Sequence, residues 1–326
     1  MWGAGSIGAR HANVLRDRLG LAPVVVPARA ERLPEVQARG FETREELQQA
    51  ISGQNHSAVI VCTETGRHLA DTMSALALGG DVLCEKPLAA NTQGLDRLEA
   101  AARSSGRQVF VACNLRFDAG LRGFRERLPE IGRVHSVRVE CQSYLPDWRP
   151  GSDYRRGYSA RAGQGGVLRD LIHEIDYATW IFGHPARVAA RMGNTGRLGI
   201  ESEEWAELWW TAPSGANLSI YLDYLTRIPR RRMRAFGECG DIEWDAIAQR
   251  VSVRLAGKME EAIVTTQERD ERMAEQARAF LEAVAGGEAG LLATLEEGAS
   301  AVALCDAARR SARSGHAESV PDWRRA

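Results

Sequence analysis

The spacing of hydrophobic and polar positions changes about one third of the way along this chain of 326 residues. Between residues 9 and 112, short apolar runs alternate with longer segments of helical periodicity. Strands separated by helices of this length predict right-handed βαβ units and a parallel sheet, with ligands bound outside the carboxyl ends of the strands. The predicted strands are 21–26, 57–62, 81–84 and 108–112, and the predicted helices are 9–19, 31–39, 43–51, 66–78 and 91–103.

From about residue 120, strand-like runs follow one another without helices between them, which predicts an antiparallel sheet. A polar, aromatic and Gly-rich stretch at 148–166 is typical of a long functional loop. We expect the domain boundary near 117–120. The predicted strands are 133–144, 186–192, 204–212, 216–224, 231–238 and 250–255, and the predicted helices are 121–128, 168–182, 270–285 and 294–312.

The composition is that of an ordinary globular protein and excludes several function classes. Hydrophobic residues make up 44% and charged residues 26%, and the net charge of −1 provides no basic field for nucleic acid or an anionic membrane. No apolar run approaches the ~18 residues of a membrane span, so we expect a cytoplasmic protein. The six cysteines show no metal-ligand spacing, which predicts reduced thiols and no metal site.

Residues 3–8 read G-A-G-S-I-G and run directly into a predicted helix. In such a G-x-G-x-x-G, the first glycine makes a tight turn, the second leaves room for a dinucleotide pyrophosphate, and the third lets helix and strand pack closely. The helix N-terminus offers free N–H groups to the anion. The residues expected to bind the pyrophosphate are Gly3, Gly5, Ser6, Ile7 and Gly8.

The motif and the change of pattern together predict two domains. The first is an α/β Rossmann dinucleotide-binding domain at 1–118, and the second is an α+β domain with a mostly antiparallel open sheet at 119–326. The first strand looks truncated, because only Met1 and Trp2 precede Gly3 and strands usually have about five or six residues. We hypothesise a native start upstream. The alternative is a tolerated two-residue stub with weakened cofactor binding.

The end of the second predicted strand bears on the choice between NAD and NADP. A dinucleotide-binding fold often places an acid there for the ribose hydroxyls, whereas this chain has Pro27-Ala28-Arg29. Arg29 suits a 2′-phosphate, which favours NADP slightly over NAD. The alternative is a solvated Arg29, with Glu31 in the acidic role.

Two stretches carry acid–base chemistry. Lys86 follows the third predicted strand, at the sheet edge where substrate and nicotinamide would meet, and partial burial makes a lysine a usable acid or base. Asp170, His173 and Asp176 are spaced three apart on one predicted helix face, where a carboxylate can orient the imidazole for proton transfer at an alcohol. The alternatives are a surface turn at Lys86 and a simply packed His173.

These motifs together resemble the glucose–fructose oxidoreductase / inositol dehydrogenase (Gfo/Idh/MocA) family. The matching stretches run in the family's order and cover nearly the whole chain: G-A-G-S-I-G-A-R-H (3–11), V-C-T-E-T-G-R-H (61–68), E-K-P (85–87), N-L-R-F (114–117) and G-G-V-L-R-D-L-I-H-E-I-D (165–176). The resemblance implies that Lys86 and His173 are catalytic, with Asp170 assisting, and that the Lys86–Pro87 bond is cis. It also implies a nicotinamide pocket that includes Thr63 and Glu85, and it places His68 among the cofactor-binding residues.

The chain departs from the family's pattern at two positions. The family usually has D-x-x-x-H, whereas the spacing from Asp170 to His173 is D-x-x-H. Glu64 stands where the family usually has proline after Thr63. These departures concern the role of Asp170 and the turn after Thr63.

The loop at 148–166 and its surroundings predict the substrate class. Aromatic rings stack on sugar faces, and arginines bind carboxylates or phosphates in bidentate fashion. The alternative is that several of the arginines pair with nearby acids such as Asp147 and Asp153. The expected substrate is sugar-like, and the arginines favour an anionic polyol such as a sugar acid, sugar phosphate or sugar nucleotide. The resemblance places Arg116 nearby, and the residues expected to bind this substrate are Arg116, Trp148, Arg156, Tyr158 and Asp176.

The sequence therefore predicts a dehydrogenase or reductase that moves a hydride between NAD(P) and a hydroxyl carbon of a sugar, sugar acid, sugar phosphate, sugar nucleotide or cyclitol. The alternatives are a non-catalytic NAD(P)-sensing regulator and a truncated, inactive relative. No nucleic-acid or membrane partner is expected. An open sheet face with Trp209, Leu218 and Tyr221 predicts a homodimer or homotetramer.

Overall fold

The computed structural model describes residues 1–51, 57–321 and 323, and the chain divides into two compact units. Unit 1 contains Met1–Phe117 and Glu268–Ala299, and unit 2 contains Asp118–Gln267 and Ser300–Ala326. The first break lies in the region expected at 117–120. The segment Glu268–Ala299 differs from the prediction of one domain over 119–326, because it packs with the N-terminal part of the chain.

The regular elements follow one another in this order along the chain. The helices are α1 (Ser6–Leu19), α2 (Leu33–Ala38), α3 (Leu47–Ile51), α4 (His68–Ala77), α5 (Leu95–Ser105), α6 (Ala119–Arg127), α7 (Val167–Asp170), α8 (His173–Phe182), α9 (Arg269–Val284) and α10 (Leu295–Ser314). The strands are β1 (Ser57–Val61), β2 (Gly80–Cys84), β3 (Val109–Val111), β4 (Val134–Gln142), β5 (Arg187–Gly193), β6 (Trp205–Thr211), β7 (Asn217–Asp223), β8 (Arg230–Gly237), β9 (Gly240–Asp245), β10 (Arg250–Leu255), β11 (Glu261–Val264), β12 (Ala293–Thr294) and β13 (Glu318–Ser319).

Unit 1 is built on a sheet whose strands β1, β2 and β3 are parallel, while β12 pairs antiparallel with β3. Strand β2 is buried along its whole length, as expected where both faces of a parallel sheet are covered. Trp2 extends the sheet beyond β1, through parallel bridges to Val61 on one side and Val26 on the other. The predicted strand at 21–26 is reduced to bridges at its end. The carboxyl ends of β1 and β2 therefore lie on the same sheet edge as the turn after Trp2.

The segment 268–299 joins unit 1 through α9. Phe280 is fully buried in one cluster with Leu83 and Phe110, and the ring centroids of Phe110 and Phe280 are 6.2 Å apart. At the surface, Arg10 of α1 pairs with Asp270 of α9 at 2.6 Å. These contacts make α9 part of the first core, so this unit is discontinuous in sequence.

Within the described residues, unit 2 is built on a nine-stranded sheet in the order β11-β10-β9-β8-β4-β7-β6-β5-β13. Strands β4 and β7 are parallel, and the other neighbouring pairs are antiparallel. The predicted fold class, a Rossmann domain with a mostly antiparallel second sheet, is confirmed.

Alternation along the strands gives this sheet one covered and one exposed face. Trp209 and Tyr221 lie on the exposed face, with 40% and 37% of their surface accessible. Leu218 is 2% exposed, so its predicted place on the open face is wrong. Residues 218 and 221 are an odd number of positions apart and therefore point to opposite sides of the strand.

The predicted helices at 168–182 and 91–103 differ from the observed ones. The helix at 168–182 is broken in two, because α7 ends at Asp170 and α8 begins at His173. Asp170 and His173 therefore do not share one continuous helical face. The helix predicted at 91–103 begins only at Leu95, after Gly94, and the Asn91 side chain accepts from the backbone N–H of Gln93.

Candidate functional site

The glycine loop (residues 3–8) shows what each glycine contributes. Gly3 has a φ of +106°, and a Cβ there would lie 2.5 Å from the carbonyl oxygen of Cys62. A Cβ on Gly8 would lie 2.1 Å from the carbonyl oxygen of Gly3. Gly5 faces open space, with no atom within 4 Å of its Cβ position. The loop packs tightly at its first and third glycines and leaves room at the second, which fits the approach of a pyrophosphate.

The start of α1 also fits an anion. Gly5 is the N-cap residue and makes no side-chain cap, and the first turn contains no acidic residue. Ser6 is exposed there, while Ile7 packs against the core. The N–H groups of an uncapped helix N-terminus attract phosphate. Arg32 adds positive charge beside the loop, since it donates to the carbonyl oxygen of Ala4 at 2.5 Å.

The adenosine end of the predicted cofactor site carries an ion pair. Arg29 donates to the carboxylate of Glu64 at 2.6 Å, and both side chains are exposed to solvent. Glu64 is the residue that departs from the family's proline. The charge of Arg29 is thus balanced by an acid on the loop after β1.

Lys86 lies in the E-K-P turn (residues 85–87), directly after β2 at the carboxyl edge of the sheet, and is half-buried. The Lys86–Pro87 bond is cis, as the resemblance implied. Thr63 follows the neighbouring strand β1, and its hydroxyl oxygen is buried with no hydrogen-bond partner in the described part of the chain. A buried hydroxyl of this kind, on the edge that also presents the glycine loop, fits a bound nicotinamide.

Glu85 is held on both carboxylate oxygens. One oxygen lies 2.8 Å from Nε2 of His11 on α1, and the other accepts from the backbone N–H of Lys86 at 3.2 Å. Burial acts to raise the pKa of Glu85, but the His11 ring and the charge of Lys86 outweigh it and hold the pKa below its usual value. Glu85 therefore serves as a fixed anion beneath the turn. His11 was not singled out from the sequence, although it closes the matched stretch G-A-G-S-I-G-A-R-H.

His68, predicted to contact the cofactor, is buried at the start of α4. Its Nδ1 lies 2.7 Å from the carbonyl oxygen of Pro87, and its Nε2 lies 3.0 Å from that of Thr63. Both ring nitrogens are therefore already used by the main chain, which leaves neither for a cofactor atom.

In unit 2, Asp170 forms the centre of a tyrosine–aspartate cluster (Tyr158, Asp170 and Tyr224). The Tyr224 hydroxyl donates to the Asp170 carboxylate at 2.6 Å, and Tyr158 also forms a side-chain hydrogen bond with it. Burial raises the pKa of Tyr158, and the charge of Asp170 raises it further. The carboxylate is thus shared by two phenols. Tyr224 was missed because it lies 54 residues away in sequence.

His173 is the first residue of α8 and is buried. The next residue, Glu174, is fully buried and pairs with Nε of Arg231 on β8 at 2.8 Å. Burial acts to lower the pKa of Arg231, but Cys141 and Glu174 outweigh it and raise the pKa. This ion pair fastens the beginning of α8 to the sheet and so fixes where the His173 backbone lies. Nothing in the spacing of the sequence marks Arg231 for this role.

The remaining predicted substrate residues have different surroundings. Arg116 belongs to unit 1, is 2% exposed and pairs with Glu297 at 2.7 Å, so its charge is balanced inside the protein. Trp148 is partly exposed and meets the Tyr224 ring edge-on, with centroids 5.3 Å apart. Arg156 is exposed and Asp176 is buried. Trp148 thus lies at the tyrosine–aspartate cluster, whereas Arg116 has the contacts of a structural residue.

Other features of the described residues bear on the class of site. All six cysteines are free thiols, and Cys239 is exposed whereas the others are buried. In residues 1–51, 57–321 and 323, no group of three or more His, Cys, Asp or Glu side chains could hold a metal ion. Across those same residues, the helices all lack the length and apolar character needed to cross a membrane.

Two stretches of the chain match models of known protein domains. Residues 1–113 match a family model described as the oxidoreductase family with an NAD-binding Rossmann fold, and residues 129–243 match the GFO/IDH/MocA C-terminal domain. The chain belongs to the Gfo/Idh/MocA family. The resemblance inferred from the motifs is therefore confirmed, and the glycine loop and the E-K-P turn lie within the matched Rossmann region.

Individual relatives of this family member are distant. Myo-inositol 2-dehydrogenase of Thermotoga maritima is 30% identical over 189 residues, which cover 56% of this chain and 53% of the relative. The 1,5-anhydro-D-fructose reductase of Ensifer adhaerens is 29% identical over 160 residues, which cover 48% of this chain and 47% of the relative. These alignments span about half the length of the curated relatives. A levoglucosan dehydrogenase solved in complex with NADH shares the fold, with a TM-score of 0.88, 18% identity and 98% of each chain covered.

Proposed function

We propose that this protein is an NAD(P)-dependent oxidoreductase that acts on a hydroxyl-bearing carbon of a sugar-like or cyclitol substrate. The observation that carries the proposal is the position of Lys86, in a turn at the carboxyl end of β2 on the same sheet edge as the glycine loop and Thr63. Relatives named for inositol and anhydrofructose, and a structural neighbour named for levoglucosan, support a polyol substrate.

The chain's own residues would bind, orient and move a proton. When bound, the nicotinamide ring supplies the acceptor or donor of the hydride. The glycine loop and the N-terminus of α1 hold the pyrophosphate, and Lys86 binds the reacting hydroxyl oxygen. His173 takes or returns the hydroxyl proton, a role suited to an imidazole near neutral pH. Asp170, held by Tyr158 and Tyr224, orients the substrate rather than accepting the proton.

An activity screen tests this proposal directly. The purified protein is incubated with NAD or NADP and with inositols, anhydro-sugars, sugar acids, sugar phosphates and sugar nucleotides, and reduced nicotinamide is measured. We expect turnover of at least one polyol, with turnover lost in Lys86→Met and retained in Lys258→Met. Lys258 is exposed and serves as a matched lysine control. Cofactor binding without turnover of any substrate would instead favour a sensor.

We also propose NADP as the preferred cofactor, with the 2′-phosphate bound by Arg29 and Arg32. The strand end that precedes them carries no acid, and Arg32 lies against the glycine loop. Glu64 competes with the phosphate for Arg29. We expect Arg29→Ala to weaken NADP about tenfold or more without weakening NAD, and Glu64→Ala to strengthen NADP, as judged by fluorescence titration. Arg44→Ala, another exposed arginine paired with a carboxylate, is the control.

The exposed sheet face of unit 2 supports a homo-oligomer. Trp209 and Tyr221 are large apolar side chains on that face, and a second copy of the chain would cover them. We expect light scattering at micromolar concentration to give a dimer or tetramer, and Trp209→Ser to shift it toward monomer. A stable monomer of the unaltered protein would contradict this proposal.

A further inference from the structure

His68 connects two main-chain segments that flank the proposed nicotinamide site. Nδ1 lies 2.7 Å from the carbonyl oxygen of Pro87, the residue after Lys86, and Nε2 lies 3.0 Å from the carbonyl oxygen of Thr63. The side chain is 2% exposed, so water does not compete for either nitrogen. One ring thus joins the end of β1 to the turn that follows β2.

The partners of the ring decide its protonation state. A carbonyl oxygen can only accept, and a neutral imidazole has only one N–H to donate. Two carbonyl partners therefore require both nitrogens to carry hydrogen, which is the imidazolium form. The groups of the neighbouring strand that face the ring are the Cys84 sulfur and the Glu85 carboxylate, and the latter supplies negative charge.

We propose that His68 is a positioning residue that acts as an imidazolium clamp at neutral pH, holding the Thr63 main chain and the Lys86–Pro87 turn together for cofactor and substrate. The inference rests on the proposed function for its catalytic consequence, but the clamp itself is a property of the free protein. It gives His68 a different role from the direct cofactor contact that the resemblance implied.

The clamp has a defined pH dependence. Burial acts to lower the pKa of His68, but Cys84 and the two carbonyl acceptors outweigh it and raise the pKa from 6.5 to about 9. A folded-state pKa above the unfolded one stabilises the folded protein fully below the unfolded value. This contribution is lost as pH rises from about 6.5 through about 9. We therefore expect Tm to fall over that window by about 2–4 °C or more on account of His68.

The first experiment is nitrogen NMR of the histidine rings in the unaltered protein at pH 7.5, without cofactor. The His68 signals are assigned by their disappearance in His68→Gln. We expect both ring nitrogens to show the shifts of N–H groups and to titrate only near pH 9. Shifts of a neutral tautomer at pH 7.5 would overturn the clamp, and this result does not depend on whether the protein is an enzyme.

The second experiment compares His68→Gln with His135→Gln, which changes an exposed histidine of unit 2. A glutamine amide can reach at most one of the two carbonyls. We expect the Kd for NAD(P) to rise about tenfold to a hundredfold and the fall in Tm between pH 6.5 and 9 to disappear, while His135→Gln behaves as the unaltered protein. An unchanged Kd together with an unchanged pH dependence of Tm would overturn the proposal. Loss of turnover alone, with both of these unchanged, would count against the clamp and leave the proposed function standing.

Discussion

The E-K-P turn of unit 1 and the α7–α8 segment of unit 2 present their catalytic candidates in different ways. Around Lys86, the partners are main-chain atoms and residues of the family's motifs: His68 binds two carbonyls, and Glu85 binds His11 and a backbone N–H. Around His173, the supports are side chains that come from positions far along the chain. Asp170 is held by Tyr224, and Glu174 by Arg231.

This difference determines how each region tolerates amino-acid substitution. A site built on main-chain contacts depends on a few positions with fixed backbone geometry, such as the glycines. A site built on buried side-chain pairs depends on partners that must both be present, because a buried charge without its partner is costly. The predictions below test each half of this contrast.

Removal of the two candidate acid–base residues is expected to have the largest effect. Lys86→Met and His173→Asn should each lower kcat/KM by about 10²–10⁴-fold, the usual contribution of a positioned proton donor or acceptor. Steady-state kinetics and NAD(P) titration measure the two effects separately. Lys86→Met should leave cofactor Kd within about twofold if Lys86 acts on the substrate hydroxyl, and a large loss of binding instead would assign Lys86 to cofactor contact.

The next largest effect is expected at the buried ion pair of unit 2, formed by Glu174 and Arg231. Glu174→Gln should lower the free energy of unfolding by about 3–5 kcal/mol, since it leaves Arg231 without its charge partner. Glu126→Gln, at an exposed position of α6, should change it by less than about 0.5 kcal/mol. Denaturant unfolding measures both. If the pair acts as described, Glu174→Met with Arg231→Met recovers much of the loss, and a double variant as unstable as Glu174→Gln would contradict this.

Substitution in the tyrosine–aspartate cluster should lower the free energy of unfolding by a smaller amount. Tyr224→Phe removes the hydroxyl that donates to Asp170 and should destabilise by about 1.5–3 kcal/mol, the range for hydrogen bonds to charged groups. If Asp170 orients substrate, KM rises more than kcat falls in this variant. Tyr221→Phe, on the exposed sheet face, is the control and should change neither stability nor kinetics. A fall in kcat at constant KM would return Asp170 to a role in proton transfer.

Substitutions in the glycine loop are expected to have the smallest effects, and they separate protein stability from cofactor affinity. Gly8→Ala places a Cβ 2.1 Å from the Gly3 carbonyl oxygen and should destabilise by about 1–3 kcal/mol through overpacking. Gly5→Ala enters open space, so Tm should not change, whereas NAD(P) affinity should fall because the methyl group occupies the approach of the pyrophosphate. Calorimetry and cofactor titration separate these outcomes. Equal loss of stability in both variants would contradict the assigned roles of the two glycines.

The same contrast explains how much could be predicted from the sequence. The parallel sheet, the glycine loop and the E-K-P turn were predictable because their residues are close in sequence and each has a local geometric reason. The break between α7 and α8 was not, since the residues 168–182 read as one amphipathic helix, whereas Leu171 after α7 takes a non-helical backbone conformation with φ −100° and ψ 34°. Tyr224 and Arg231 become partners only after the sheet has formed.

The return of residues 268–299 to the first unit has a consequence for synthesis on the ribosome. Phe280 fills the core that also contains Leu83 and Phe110, so that core is incomplete when residue 117 leaves the exit tunnel. At about 5–20 residues per second, the intervening 150 or so residues take roughly 8–30 s to translate. During that interval the nascent dinucleotide-binding half exposes apolar surface that chaperones would recognise, and unit 2, which also contains Ser300–Ala326, is completed later still.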